Sequence, residues 1–218
     1  RAGRAGRHGL FPDPQPHLRR LIDLAPLGWS ELTASDAGLR IGAMCTIRDL
    51  YALTPPARWQ AGALLPMSCE AFLSSFKIWN AATVGGNICM SLPAGPMITL
   101  TAALEAEYLL HGPDGAERAL PATEFVTGNN RNVLAPGELL RRIDIPERAV
   151  RKRFAHRRFT LTKLGRSTVF LIGTKGEDGT VLLTLTAGTT HPVQLAFAAD
   201  PDPATLQEQI DAIAGDVW

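Results

Sequence analysis

Cysteine, aromatic residues and net charge are all scarce in this chain, and each scarcity excludes a class of function. Cys45, Cys69 and Cys89 are the only cysteines among 218 residues. An odd count without close pairing argues against a disulfide framework and for a reducing compartment. No Cys-x-x-Cys occurs. His8, His17, His111, His156 and His191 are scattered without metal-ligand spacing, so a metal or iron–sulfur site within the chain is not expected. Lysine and arginine number 22 against 21 acids, a formal net charge of +1. That balance does not suggest nucleic-acid binding, and 6% aromatics gives little base-stacking surface. No apolar run approaches a membrane span, and no signal-peptide pattern opens the chain. The first residue is Arg1 rather than Met, and Trp218 follows a helical pattern without a stop signal. Both ends read as cut.

What is present is a mixed helix and strand pattern. Residues 1–18, rich in Arg, Gly and Pro, read as loop. Leu18 to Leu24 and Trp29 to Thr33 read as short strands. Gly38 to Met44 reads as a third, because Leu39 and Ile41 alternate with Arg40 and Gly42. Thr46 is placed to cap a helix over 47–53. Further helices are predicted over 57–66, with Trp59 towards the core, and over 68–76. Pro96 suits the first turn of a helix running to about Ala106, with Met97, Leu100, Ala103 and Leu104 as its apolar face.

Glu107 to His111 and Glu117 to Leu120 flank the turn Gly112-Pro113-Asp114-Gly115 and read as a hairpin. Residues 121–125 read as a helical turn, 129–132 as a polar loop and Leu139 to Ile145 as a strand. The charged segment 147–153 reads as a linker or a solvated face. Strands are then predicted over 159–163, 167–174, 181–186 and 192–198, before a final helix over 203–214.

The stretch Ala82-Thr83-Val84-Gly85-Gly86-Asn87-Ile88-Cys89-Met90-Ser91 is the most distinctive. Adjacent glycines permit positive φ and close backbone approach to a ligand. Successive exposed N–H groups in such a turn make an anion-binding concavity. A plain tight turn between elements is the competing reading. Trp79, just before the turn, reads either as a cover for a flat ligand or as a packing residue.

Five stretches carry a resemblance to a known family. They are Leu39 to Ala43, Asn80 to Asn87, Leu134 to Leu140, Ile143 to Pro146 and Phe159 to Arg166. In that order the chain resembles the FAD-binding medium subunits of molybdenum hydroxylases, the carbon monoxide dehydrogenase and xanthine dehydrogenase family. The resemblance implies an α+β fold. Residues 1–150 would form a PCMH-type (vanillyl-alcohol-oxidase-type) FAD-binding domain. Residues 151–218 would form a small α+β C-terminal domain with a short antiparallel sheet.

It also implies roles. Thr83, Val84, Gly85, Gly86 and Asn87 would be the second FAD loop, cradling the pyrophosphate. Leu73 would pack near the cofactor, Leu140 near the adenine, and Lys163 near the flavin ring. The family's first glycine-rich loop would precede this chain. Pro96 and Leu92 stand where acids are frequent in the family.

The implied function is a flavoprotein subunit of a molybdenum-containing hydroxylase or dehydrogenase. It would pass electrons from a 2Fe–2S small subunit through FAD to NAD or another acceptor. A molybdopterin-binding large subunit would oxidise the substrate, and the assembly would be cytoplasmic. A flavin-free docking module and a free-standing flavin oxidase are the alternatives.

Overall fold

The alternation around Leu39 and Ile41 becomes the spine of the larger sheet. The computed structural model describes residues 22–162 and 165–218. The first strands are β1 (Leu32–Ser35) and β2 (Gly38–Gly42). Five helices follow: α1 (Ile47–Ala52), α2 (Leu64–Ala71), α3 (Phe76–Trp79), α4 (Val84–Met90) and α5 (Pro96–Ala103). Then come β3 (Glu107–His111), β4 (Glu117–Pro121), α6 (Ala122–Phe125), β5 (Val126–Gly128), β6 (Arg131–Asn132), β7 (Leu139–Pro146) and α7 (Glu147–Arg151). The last elements are β8 (Arg153–Thr160), β9 (Ser167–Lys175), β10 (Val181–Thr186), β11 (Val193–Phe197) and α8 (Pro203–Asp211).

The first sheet has strand order β1-β2-β7-β3-β4, antiparallel throughout. Leu39 lies opposite Ile145, and Ile41 opposite Ile143, which in turn faces Tyr108. All five are buried on one face. The other face is polar: Arg40 and Arg142 each donate to Asp144 at 2.8 Å. Period-two alternation thus separates core from solvent across the sheet.

The second sheet, β11-β10-β9-β8, is also antiparallel. Helix α5 lies between the two sheets, and every one of its residues is buried. The expected one-sided apolar face was too narrow, because the second sheet covers the far side. Thr99 Oγ1 meets Thr186 Oγ1 at 2.7 Å, and Gln194 Nε2 donates to the Ala102 carbonyl at 2.8 Å. On the near side Thr101 Oγ1 meets the Tyr108 hydroxyl at 2.5 Å.

Several sequence expectations shift. Thr46 caps α1 as anticipated, accepting from Asp49 N at 3.1 Å. The strand expected at 18–24 is absent over Ile22 to Leu24, and its start lies outside the described residues. The next strand begins at Leu32, because pairing with β2 runs from Leu32–Ile41 to Ser35–Gly38.

Pro66 does not end a helix. It sits in the first turn of α2, where its missing N–H costs nothing. The helix expected over 68–76 therefore starts earlier and stops at Ala71, and Leu73 takes φ 48°. Phe76 begins α3 and is 72% exposed. The supposed linker at 147–153 contains α7, whose Ala149 and Val150 are fully buried. Strand β8 begins at Arg153, six residues before the expected start, because its register with β9 runs from Arg153–Lys175.

Two stability predictions follow from these contacts. Thr101→Val strands the buried Tyr108 hydroxyl and costs about 1–3 kcal/mol in urea unfolding. The Glu138 carboxylate accepts a fork from Arg118 at 2.7 and 2.8 Å and the Ala135 N–H at 2.7 Å. The Arg118 hydrogen bond holds its pKa down at about 2, against an ordinary value of 4.5. A lowered carboxylate stabilises above its unfolded value and loses that contribution as pH falls through the folded one. Wild type therefore outlasts Glu138→Gln in thermal melts at pH 6, and the gap closes between about pH 4.5 and pH 2.

Candidate cofactor site

The glycine stretch is a helix, not a turn. Thr83 is extended (φ −110°, ψ 155°), and its Oγ1 accepts the Gly86 N–H at 3.0 Å. That makes Thr83 the N-cap of α4. The Thr83 carbonyl accepts Asn87 N at 3.0 Å, Cys45 O accepts Val84 N at 2.9 Å, and Ala43 O accepts Gly85 N at 3.1 Å. The four N–H groups expected to face an anion are all engaged within the chain. Neither Gly85 nor Gly86 has positive φ.

Glycine is needed at 85 for another reason. A Cβ there would lie 2.7 Å from both the Cβ and the carbonyl oxygen of Ala43. The close backbone approach inferred from sequence is present, and its partner is the chain itself. Thr83 followed by Val84 and Ile88, apolar at i and i+4, is a capped helix start. Both side chains are fully buried.

The corner 43–47 then links α4 to the sheet. Ala43 N donates to Arg141 O at 3.1 Å, and Ile47 N donates to Ala82 O at 3.0 Å. The far end of α4 is also tied down. Asn132 Nδ2 donates to Cys89 O at 3.2 Å and to Ser91 Oγ at 2.9 Å. Asn87 Oδ1 accepts the Met97 N–H at 3.1 Å, satisfying a free donor in the first turn of α5. Ala43 and Asn132 were not among the expected site residues. Their roles depend on contacts 40 or so positions away in sequence, which local patterning does not report.

The other expected residues are placed less uniformly. Leu140 lies in β7, next to Arg141 and opposite Leu110, and is buried at 2% exposure. It belongs to the core beneath α4. Leu73 sits beyond the end of α2, exposed, outside this linkage. Lys163 lies outside the described residues.

Among the described residues no group of three His, Cys, Asp or Glu could hold an ion. Burial pushes the Cys45 and Cys69 thiols up to about 12, so neither is a thiolate at neutral pH. Asn87 is half-buried, and its Nδ2 makes no hydrogen bond to a described residue. The Trp79 ring meets Tyr51 edge-on at 5.0 Å, and its buried Nε1 has no partner among the described residues. Leu73 and Phe76 offer exposed apolar surface on the segment leading into α4. Each is a donor or an apolar surface of the kind that a flat, hydrogen-bonding ring system takes. They do not make a backbone phosphate cradle.

Comparison with known proteins gives this region a family. The description "FAD binding domain in molybdopterin dehydrogenase" matches residues 9–148. The carbon monoxide dehydrogenase medium chain of Afipia carboxidovorans is 33% identical over 148 residues, 65% of this chain and 49% of the relative. Xanthine dehydrogenase 2 of Arabidopsis thaliana is 28% identical over 121 residues, 53% of this chain and 9% of the relative. The chain thus spans about half of the bacterial medium chain and a small part of the plant enzyme.

Among solved structures, a Cu,Mo-CO dehydrogenase in its cyanide-inactivated form superposes with a TM-score of 0.75 at 24% identity. That match covers 95% of this chain and 76% of the other. It shares the α+β architecture with antiparallel sheets. The chain belongs to the family of FAD-binding domains of molybdopterin dehydrogenases, oxidoreductase components whose cofactor is FAD.

Proposed function

We propose that this chain is the flavoprotein part of a molybdenum-containing hydroxylase or dehydrogenase. The observation that carries this reading is the family match over residues 9–148, which spans α4, its cap and the corner that anchors it. Bound FAD supplies an electron relay between a 2Fe–2S partner and NAD or another acceptor. A molybdopterin-binding large subunit completes the assembly. The cytoplasm is its compartment, a reading supported by three free cysteines.

On this reading the chain's own residues bind and orient. Thr83, Val84, Gly85 and Gly86 set the position of α4 by capping and close packing. Asn87 presents its free Nδ2 as a donor to the cofactor. Leu73, with Phe76 and Trp79, supplies apolar surface that excludes water. Leu140 supports the site from beneath, through Arg141 and Ala43. Lys163 is the cation assigned to the flavin ring, where positive charge stabilises the reduced form. Because the N–H groups of residues 84–87 are already engaged, the phosphates are held by other groups. Residues 1–150 act as the FAD-binding unit and 151–218 as the C-terminal unit, a division supported by the end of the family match at 148 and the start of β8 at Arg153.

Two measurements test this. Purified protein, alone or after addition of FAD, is expected to show visible flavin absorption. No bound flavin and no uptake would sink the proposal. Gly86→Val is expected to abolish flavin binding, and Asn87→Leu to weaken it by about tenfold, the worth of one hydrogen bond to the ligand. Thermal melts in parallel separate lost binding from lost fold. Equal FAD affinity with valine at 86 would remove Thr83–Asn87 from the site.

A further inference from the structure

The second sheet has one face against α5 and one face turned away. The inner face carries Phe170, Ile172 and Thr186, all buried. The register places Arg153, Ala155, Arg157 and Phe159 of β8 on the outer face, opposite Lys175, Gly173, Leu171 and Val169 of β9. The β10–β11 half of that face is covered, since Leu185 and Leu195 are buried. The β8–β9 half is open. A Cβ on Gly173 would meet no atom within 4 Å. Phe159 is 56% exposed, and Leu161, just past the strand, is 90% exposed.

The unpaired charge on this strip is basic. Arg153 and Arg157 are exposed, and neither has a carboxylate partner among the described residues. Arg157 Nη1 donates only to the His156 carbonyl, at 2.8 Å. Lys175, opposite Arg153, is taken by Asp200 at 2.5 Å. Two strands spaced at about 4.8 Å make a strip roughly as wide as one helix, about 10 Å.

We propose that this strip docks one amphipathic helix of a partner chain. Its apolar side faces Gly173, Leu171 and Phe159, and its acidic flank faces Arg153 and Arg157. A second copy of this chain does not fit the strip, because pairing two such faces would bring like charges together. The strip is small beside a standard interface of about 1,600 Å², so an isolated helix binds weakly and the partner touches the chain elsewhere too. This inference does not depend on flavin binding.

The test uses the full chain and two labelled helical peptides, read by fluorescence anisotropy. Both carry leucine on one side; one has glutamate flanks and the other lysine flanks. The glutamate peptide is expected to bind about tenfold more tightly than the lysine peptide. Arg153→Glu with Arg157→Glu is expected to reverse that preference, which a merely unfolded variant would not do. Gly173→Leu, whose side chain enters open space, is expected to weaken both peptides without lowering the melting temperature. Equal affinity for both peptides, or an unchanged preference in the double variant, overturns the proposal. So does a concentration-dependent dimer of the chain that Gly173→Leu abolishes.

Discussion

The approach of Gly85 to Ala43 is the contact on which the packing of α4 against the first sheet depends. It brings helix α4 close enough for Val84 and Gly85 to donate into the 43–47 corner. The same corner donates onward to β7 through Ala43 N and Arg141 O. Helix, corner and sheet therefore form one hydrogen-bonded stack. A side chain at 85 would push α4 outward and break two buried backbone bonds together. Buried backbone groups left unpaired are costly, so the position tolerates little. Asn87 would move with the helix, and with it the acceptor for Met97 N at the start of α5.

Helix α5 shows how a helix can be apolar on all sides and still end neatly. Its two threonines, buried, each turn a hydroxyl back to a carbonyl of the preceding turn: Thr99 to Gly95 O at 3.3 Å and Thr101 to Met97 O at 2.7 Å. Each then reaches a different sheet, Thr186 on one side and Tyr108 on the other. No charged residue occurs between Pro96 and Ala103, which follows from burial on every side. The helix thereby joins the two sheets.

Elements with strict local patterning were legible from sequence. Strand β2 followed from the alternation of Leu39 and Ile41, and α1 from Thr46 before an apolar run. The hairpin β3–β4 followed from Gly112-Pro113-Asp114-Gly115. Elements decided by distant contacts were not. The proline at 66 reads equally as a helix end or a helix start, and only the burial of Leu64, Leu65 and Cys69 decides for the start. The double glycine reads as a turn because glycine is the common turn residue. It is helical here, and the missing side chain of Gly85 makes room for Ala43, 42 positions away in sequence. The family resemblance singled out the stretch, while the hydrogen-bond partners that hold it were beyond any local pattern.

The arrangement of α5 also separates two jobs. Its first turn is capped from α4 by Asn87, so α4 meets its N-terminal end. Its far side is covered by the inner face of the second sheet, through Thr186 and Gln194. The open strip at Gly173 is on the outer face of that sheet. One sheet thus stands between a helix docked there and α5, a layer spacing of about 10 Å before α4 is reached. Such a partner anchors the chain from outside and touches none of Thr83 to Asn87. The proposed docking face and α4 thus lie on opposite sides of the second sheet and α5.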